Sequence, residues 1–289
     1  MDLGLRDMAY LVTGSSRGLG FAAAQQLVAD GARVVLSARD EASASAAAAR
    51  LAQQAPGGHG GAAARVTWVA ADNADPATPG RLIAAAKDRF GRLDGALVSV
   101  GGPATGTVIA TSDEAWRSAF ETIFLGAVRL ARALAPELGD ECHGAATGAA
   151  ATGTMTGAAA TGTMTGRRGS MVFVLSSSVR VPIAELAISN GLRPGLAGVV
   201  KTLADELGPA GIRVNGLLPA RIGTGRVREL DSLGGDPDEA RARQSERIPL
   251  RRYGEPEEFG RVAAFLLSPA ASYITGAMIP VDGGAIRSI

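Results

Sequence analysis

Residues 9–20, AYLVTGSSRGLG, place a short apolar run directly before a glycine-rich turn. A helical pattern over residues 21–29 follows the turn without a break. Here Gly14 permits a tight turn, Gly18 lets the backbone approach a bound pyrophosphate, and Gly20 lets the helix pack against the strand. The free N–H groups and the dipole at the helix start favour an anion. The stretch therefore predicts a strand, an anion-binding turn and a helix.

Short apolar runs recur along the chain, separated by longer segments with helical patterns. Such runs are typical of parallel strands that are buried on both faces, and the segments between them are long enough for crossover helices. The pattern predicts an α/β chain with a doubly wound parallel sheet in a single domain over residues 1–289. The predicted strands are residues 9–12, 33–36, 66–69, 95–98, 171–175, 212–217 and 278–281.

Composition and charge exclude several classes of protein. The chain is 46% hydrophobic and 20% charged, as in soluble globular proteins. Its net charge of +1 gives no electrostatic reason to expect nucleic acid or an acidic membrane as a partner. The first apolar run, residues 8–12, is too short for a signal peptide or a membrane span. We therefore expect a cytoplasmic protein.

Cysteine and histidine are too rare for a metal site. The single Cys142 cannot form an intramolecular disulfide, and only His59 and His143 accompany it. This set is insufficient for structural zinc, so no metal site is predicted.

Two segments depart from the alternating pattern. Residues 139–169 contain AAATGTMTG twice in tandem, and we interpret them as a low-complexity insertion that is mobile rather than functional. Residues 221–247 combine glycines with charged residues. This composition suits a flexible segment that covers a substrate site, or an ordinary surface connection.

Several short motifs together point to one family. They are TGSSRGLG at 13–20, AD at 71–72, GIRVN at 211–215, GEPEE at 254–258, YITG at 273–276 and DGG at 282–284. In this order the chain resembles the short-chain dehydrogenase/reductase family, and within it the 3-oxoacyl-carrier-protein reductase-like proteins. The resemblance implies a Rossmann-type fold, a nicotinamide cofactor, a small-molecule carbonyl or alcohol substrate, and a homodimer or homotetramer.

The resemblance also implies where the cofactor binds. Asp72 would contact the adenine with Asn73 beside it, and Gly101 would lie alongside the cofactor. The family's Asn-Ala-Gly is replaced by Ser-Val-Gly at residues 99–101, which changes the detail of this contact. The implied residues of the glycine turn are Gly14, Ser16, Arg17, Gly18, Leu19 and Gly20.

The end of the second strand decides between the two nicotinamide cofactors. An acidic residue there would accept the ribose hydroxyls of NAD, whereas an Arg suits the extra phosphate of NADP. Arg39 stands at this position and Arg17 lies in the glycine turn, so NADP(H) is favoured. Asp40 follows immediately, which leaves NAD(H) open.

The residues expected to carry proton transfer are mostly replaced. The family typically uses a Tyr-x-x-x-Lys pair, an upstream Ser and an Asn on an earlier helix. Counting back from residues 205–207 places Ser189 at the Tyr position and Arg193 at the Lys position. Counting forward from Trp116 places Ile123 at the Asn position. The resemblance therefore implies a site without the usual phenol and ammonium groups.

Only the upstream serine is kept, within a run of serines. Spacing favours Ser176 as the family's serine, whereas the following Val179 favours Ser178. Both residues remain candidates. Glu185 lies between this run and Ser189, so it is the best candidate for a replacement acid. The competing interpretation is an ordinary solvated carboxylate.

The substituted residues cannot repeat the usual chemistry. A serine hydroxyl such as that of Ser189 is a far weaker acid than a phenol, and Arg193 stays protonated. Arg193 is still suited to bind ribose hydroxyls or a developing oxyanion. Pro194 disfavours helical geometry at the residue before it, so we expect a helix to begin close by. Tyr253 and Tyr273 are expected to be structural.

Three functions are compatible with these residues. The first is an NADP(H)-dependent oxidoreductase with an atypical catalytic site. The second is a non-redox enzyme on the same scaffold, such as an isomerase, dehydratase or cyclase. The third is a nucleotide-binding protein without turnover. The fold alone does not decide between them.

Overall fold

Buried apolar strands determine the architecture. The computed structural model describes residues 2–54, 64–139 and 169–288. Its strands are β1 (Ala9–Val12), β2 (Arg33–Ala38), β3 (Val66–Ala70), β4 (Gly95–Val98), β5 (Ser170–Val174), β6 (Arg213–Pro219) and β7 (Met278–Val281). They form one parallel sheet in the order β3-β2-β1-β4-β5-β6-β7. The predicted α/β fold, a single-domain Rossmann-type sheet, is confirmed.

Helices cover both faces of this sheet. They are α1 (Gly18–Ala29), α2 (Glu41–Gln54), α3 (Thr78–Phe90), α4 (Asp113–Ala119), α5 (Gly126–Leu138), α6 (Ala187–Leu207), α7 (Gly225–Ser232), α8 (Pro237–Ser245) and α9 (Pro256–Leu267). Helices α1, α2 and α9 enclose one hydrophobic core, and α3, α5 and α6 enclose the other. A π-helical turn, Phe120–Leu125, joins α4 to α5.

The two cores share the strands. In β1, Leu11 belongs to one core, whereas Tyr10 and Val12 belong to the other. All three side chains are fully buried. Because successive side chains of a strand point to opposite faces, a strand between two helical layers must be apolar at every position. This requirement explains why the strands could be recognised in the sequence.

The start of α6 corrects one prediction. We expected a helix to begin near Pro194, but α6 begins at Ala187 and passes through the proline. Pro194 costs the helix one internal hydrogen bond, because proline has no N–H group. The helix nevertheless continues, since its face carrying Ile188, Ser189 and Arg193 is buried in the protein. Ser189 and Arg193 therefore lie one turn apart on the same helix.

The two unusual segments have different outcomes. Residues 221–247 form helices α7 and α8, and the flexibility of this segment stays a prediction. Of the insertion at 139–169, only residues 139 and 169 are described. Cys142, His59 and His143 also lie outside the described residues. Within the described ranges, no helix has the length and apolar character needed to cross a membrane.

Candidate active site

The glycine turn follows β1 and has the predicted geometry. Gly14 and Gly18 adopt positive φ angles of 56° and 60°. A Cβ atom on Gly14 would lie 2.7 Å from the carbonyl oxygen of Ser99, and one on Gly20 would lie 2.5 Å from the carbonyl oxygen of Gly14. Larger residues are therefore excluded at both positions. The turn therefore needs these glycines for its own packing.

The N-terminus of α1 is prepared for an anion. Arg17 occupies the N-cap position without a side-chain cap, and the first turn contains no acidic residue. Arg50 of α2 reaches this turn, because its Nη2 donates to the carbonyl oxygen of Ser16 at 2.8 Å. Its guanidinium also lies 4.3 Å from the centroid of the Phe21 ring. The sequence analysis missed Arg50, since nothing in an alanine-rich helix marks it as a neighbour of the turn.

The end of β2 is followed by an exposed arginine and by a carboxylate that is already hydrogen-bonded. Arg39 is exposed. Asp40 accepts a hydrogen bond from the backbone N–H of Ser43 at 2.7 Å. This bond, with the Ser43 side chain and nearby Arg39 contributing further, holds the pKa of Asp40 below its ordinary value. Asp40 thus stabilises the start of α2 rather than standing free at the strand end.

The ends of β3 and β4 meet beside the turn. Asp72 is exposed and its Oδ1 accepts the N–H of Ala74 at 2.9 Å. The amide nitrogen of Asn73 lies 3.5 Å from the carbonyl oxygen of Ser99. Gly101 has a φ of 70°, and no heavy atom lies within 4 Å of the position a Cβ would take. The edge of the sheet is therefore open at Gly101.

Ser178 and Ser189 form a buried hydroxyl pair. Their Oγ atoms are 3.1 Å apart, and the residues are 3% and 5% exposed. Ser178 lies in a short 3₁₀ turn after β5, and Ser189 lies in the first turn of α6. Ser176 instead accepts the N–H of Ser178 at 3.1 Å and stabilises that turn. Of the two serines left open, Ser178 is the one in contact with Ser189.

Arg193 is a buried cation beside this pair. Its Nη1 donates to the carbonyl oxygen of Val174 at 2.5 Å, and its Nη2 donates to that of Gly101 at 2.5 Å. Its Nε is buried and has no hydrogen-bond partner among the described residues. Burial lowers the pKa of Arg193 to about 10, so the guanidinium is charged at neutral pH. The side chain joins the ends of β4 and β5.

In the described part of the chain, none of the remaining candidate side chains hydrogen-bonds to either serine of the pair. Glu185 is exposed with a φ of 60°, and its backbone carbonyl accepts the N–H of Gly106 at 2.8 Å. Ile123 is buried in the π-helical turn. Tyr253 is buried and donates to the carboxylate of Asp231, and Tyr273 is fully exposed.

Helix α7 and the residue before it contact two parts of the candidate site. The Thr224 methyl group, just before α7, would lie 3.6 Å from a Cβ on Gly18. From the first turn of α7, Arg226 donates to the carbonyl oxygen of Pro103 at 2.6 Å. Composition suggested a covering segment here, but the sequence analysis did not identify Arg226.

A buried network anchors α7. Asp231 pairs with Arg221 at 2.6 Å and accepts the Tyr253 hydroxyl at 3.1 Å. The Arg241 guanidinium lies 4.9 Å from the centroid of the Tyr253 ring. A cavity of about 260 Å³ opens beside this network, between α7 and α8.

Comparisons with known proteins agree with the fold. Residues 8–148 match the short chain dehydrogenase family, and residues 143–285 match the family described as Enoyl-(Acyl carrier protein) reductase. L-rhamnose 1-dehydrogenase (NAD(P)(+)) of Azotobacter vinelandii is 32% identical over 97% of each chain. Human dehydrogenase/reductase SDR family member 4 is 31% identical over 97% of this chain and 88% of its own.

A solved structure extends the likeness to the whole chain. L-sorbose reductase from Gluconobacter frateurii, complexed with NADPH and L-sorbose, superimposes with a TM-score of 0.83 at 28% identity and covers 100% of both chains. Sequence relatives and structural neighbours bearing dehydrogenase or reductase names thus share this fold over nearly its full length. The chain therefore belongs to the short-chain dehydrogenase/reductase family of oxidoreductases.

Proposed function

We propose that the protein is an NADP(H)-dependent oxidoreductase for a carbonyl or alcohol substrate, with an atypical catalytic site. In this site Ser189 and Arg193 stand in for the family's usual phenol and ammonium groups, and Ser178 is the retained serine. The observation that carries the proposal is the 3.1 Å contact between the two hydroxyls, with the buried Arg193 one helical turn away.

The residues around the glycine turn fit a dinucleotide. Gly14 and Gly18 have positive φ angles and no side chain, so the backbone of the turn is accessible to a ligand. The start of α1 has no side-chain cap. Asp72, Asn73 and Gly101 follow the neighbouring strands at the same edge of the sheet. When bound, the dinucleotide supplies or accepts a hydride. The turn would hold its pyrophosphate, and Asp72 its adenine.

The charges favour NADP(H) within this site. Arg39 and Arg17 are exposed at the edge where a 2′-phosphate would lie. Asp40, which would favour NAD(H), is engaged with Ser43. Among the relatives, L-sorbose reductase was solved with NADPH, and the name of L-rhamnose 1-dehydrogenase includes both cofactors. NADP(H) is therefore the proposed cofactor, and NAD(H) remains compatible with the fold.

The hydroxyl pair provides one hydrogen-bond donor for a substrate oxygen. When one hydroxyl donates to the other, a single hydroxyl hydrogen is left over. A substrate carbonyl beside Ser189 would accept it. Neither hydroxyl is an acid at neutral pH, so the proton that completes the alcohol comes from solvent. Glu185 stays a predicted replacement acid: its side chain is exposed, and no hydrogen bond in the described chain joins it to the hydroxyl pair.

Arg193 stabilises the negative charge that develops on the substrate oxygen. Its guanidinium is held by two carbonyl oxygens, and its buried Nε hydrogen has no acceptor among the described residues. A cation fixed in a desolvated site acts without reorganisation during the reaction. It thus supplies charge without a proton.

One observation favours a second candidate, a dinucleotide-binding protein without turnover. Both terminal nitrogens of Arg193 already donate to backbone carbonyls, as expected of a residue that only joins β4 to β5. The two candidates share cofactor binding and differ in hydride transfer.

The test measures binding first and turnover second. NADPH and NADH are titrated by fluorescence, and then keto sugars, cyclic diketones and 3-oxoacyl thioesters are offered as substrates in both directions. We expect NADPH binding at micromolar concentration and reduction of at least one carbonyl. Ser189→Ala should lower that rate roughly 10- to 100-fold by removing a donor to the substrate oxygen. Ser272→Ala, at an exposed serine outside the helices, is the matched control.

The outcomes separate the candidates. Binding without turnover on any substrate would establish the second candidate. Absence of binding would overturn both. In a further variant, Ser189→Tyr with Arg193→Lys restores the family's usual pair and should raise the rate.

We also propose a homodimer or homotetramer formed through the helices from α4 to α6. Phe120 is 42% exposed, and its ring stacks on that of Phe124 at 5.3 Å. Such a partly exposed aromatic pair suits a symmetric contact between copies. Sedimentation of the purified protein tests this proposal.

A further inference from the structure

We propose that Arg50 is a specificity residue for the cofactor, and that its guanidinium forms part of the subsite for the 2′-phosphate of NADP(H). This inference rests on the proposed function. It adds a residue from the body of α2 to the two arginines recognised in the sequence.

Arg50 is held in place before any ligand binds. Its Nη2 donates to the carbonyl oxygen of Ser16 at 2.8 Å, and its guanidinium lies over the Phe21 ring at 4.3 Å. These two contacts fix the plane of the group while the residue stays exposed. An arginine has five N–H donors, and the bond to Ser16 uses one of them. Donors therefore remain for an anion at the surface of the turn.

The backbone brings the three arginines to one edge. Arg17 directly follows Ser16, the residue that Arg50 contacts. The glycine turn is tied to β2, because Ser15 N–H donates to the Ser37 carbonyl at 2.9 Å and Ser37 N–H donates to the Ser15 hydroxyl at 3.0 Å. Arg39 follows directly after β2. Three arginines from three different elements therefore lie at or beside the turn, and the guanidinium of Arg50 contacts it directly.

The described carboxylates nearby offset this charge only in part. Asp40 is next to Arg39, but its Oδ1 accepts the Ser43 N–H at the start of α2. Glu229 lies 3.9 Å from Arg17, a distance beyond direct hydrogen bonding, and both side chains are more than half exposed. Such a pair is weak in water. A dianionic phosphate would fit this surplus of positive charge, whereas the ribose hydroxyl of NAD(H) would gain little from it.

A purely structural role for Arg50 makes a different prediction. If Arg50 only stiffens the turn through Ser16, its removal would weaken NADPH and NADH equally, because both have the same pyrophosphate. If Arg50 binds the 2′-phosphate, only the phosphorylated ligand should be affected. The ratio of the two affinities therefore separates the roles.

The experiment compares wild type, Arg50→Gln and Arg50→Lys by calorimetric titration with NADPH, NADH and 2′,5′-ADP. Arg89→Gln is the matched control, because Arg89 is exposed in the last turn of α3. This turn leads to the amino end of β4, whereas the glycine turn follows the carboxyl end of β1. Thermal melting of each variant reports folding.

We expect Arg50→Gln to raise the Kd for NADPH and 2′,5′-ADP roughly 10- to 100-fold, the loss of one charged hydrogen bond. The Kd for NADH should stay within about twofold, and Arg50→Lys should be intermediate. Equal losses for NADPH and NADH, or no loss for either, would overturn the role of Arg50 while leaving the proposed function intact. Failure of the wild type to bind any of the ligands would overturn both.

Discussion

Replacing Arg193 by methionine should cost the enzyme far more activity than stability. Arg193 is 5% exposed, and its guanidinium has no carboxylate among its hydrogen-bond partners in the described chain. A methionine fills a similar volume without the charge. The variant therefore separates the electrostatic role of Arg193 from its role in joining β4 to β5.

The effect on stability is the difference between two opposing contributions. Burial lowers the pKa of Arg193 from 12.5 to about 10, which corresponds to about 3 kcal/mol of cost for the charged form. This cost is present at neutral pH and is relieved only as the pH rises past about 10. The hydrogen bonds to Val174 and Gly101 each contribute about 1.5–3 kcal/mol. Methionine should thus lower the free energy of unfolding by at most about 3 kcal/mol, or the Tm by at most roughly 10 °C.

The effect on catalysis should be larger. Removing one preorganised group that stabilises an oxyanion typically lowers kcat by about 10²- to 10³-fold. Arg193→Lys keeps a positive charge, so it should retain more activity than Arg193→Met. Calorimetric melting and steady-state reduction of the best carbonyl substrate measure the two effects, with Arg89→Met as the control. A folded Arg193→Met protein that turns over at the wild-type rate would refute the reasoning.

Three other predictions concern the turn, the pH profile and the covering helix. Gly14→Ala should lower the free energy of unfolding more than Gly18→Ala, because only the first places a Cβ against a backbone oxygen, at 2.7 Å. Melting curves of the two variants measure the difference. Equal losses would contradict the packing argument. The kcat for reduction should be flat from about pH 6 to 9 and fall near pH 10, as Arg193 with its pKa of about 10 loses its charge; an inflection near neutrality would point to another acid. Tyr253→Phe removes a donor to buried Asp231 and should cost about 1–2 kcal/mol, detected as faster proteolysis within α7; unchanged cleavage would count against the anchor.

The sheet could be predicted because its strands are buried on both faces. In β4 and β5 nearly every side chain is apolar, so the runs stand out without any knowledge of their neighbours. The glycine turn could be predicted for a related reason. Gly14 and Gly20 have no room for a side chain, so glycine is required at both positions and the spacing of the glycines can be recognised in the sequence.

The contacts within the candidate site could not be predicted in the same way. Spacing left Ser176 and Ser178 equivalent, and only the arrangement of β5 against α6 brings Ser178 to Ser189. The helix through Pro194 was missed because burial of its face outweighs the local preference of proline. Arg50 was missed because its partners come from another helix and another turn. Contacts between residues that are far apart in the chain produce no periodic pattern in the sequence.

The commitment of Asp40 to the start of α2 has a consequence for protein engineering. Exchanging Arg39 for a neutral residue would leave no free acid at the end of β2, because the neighbouring carboxylate already serves the helix. Recruiting Asp40 to a ribose would uncap α2 at a cost of about 1 kcal/mol. A redesign towards the unphosphorylated coenzyme should therefore introduce a new carboxylate at position 38 or 39 and leave Asp40 untouched.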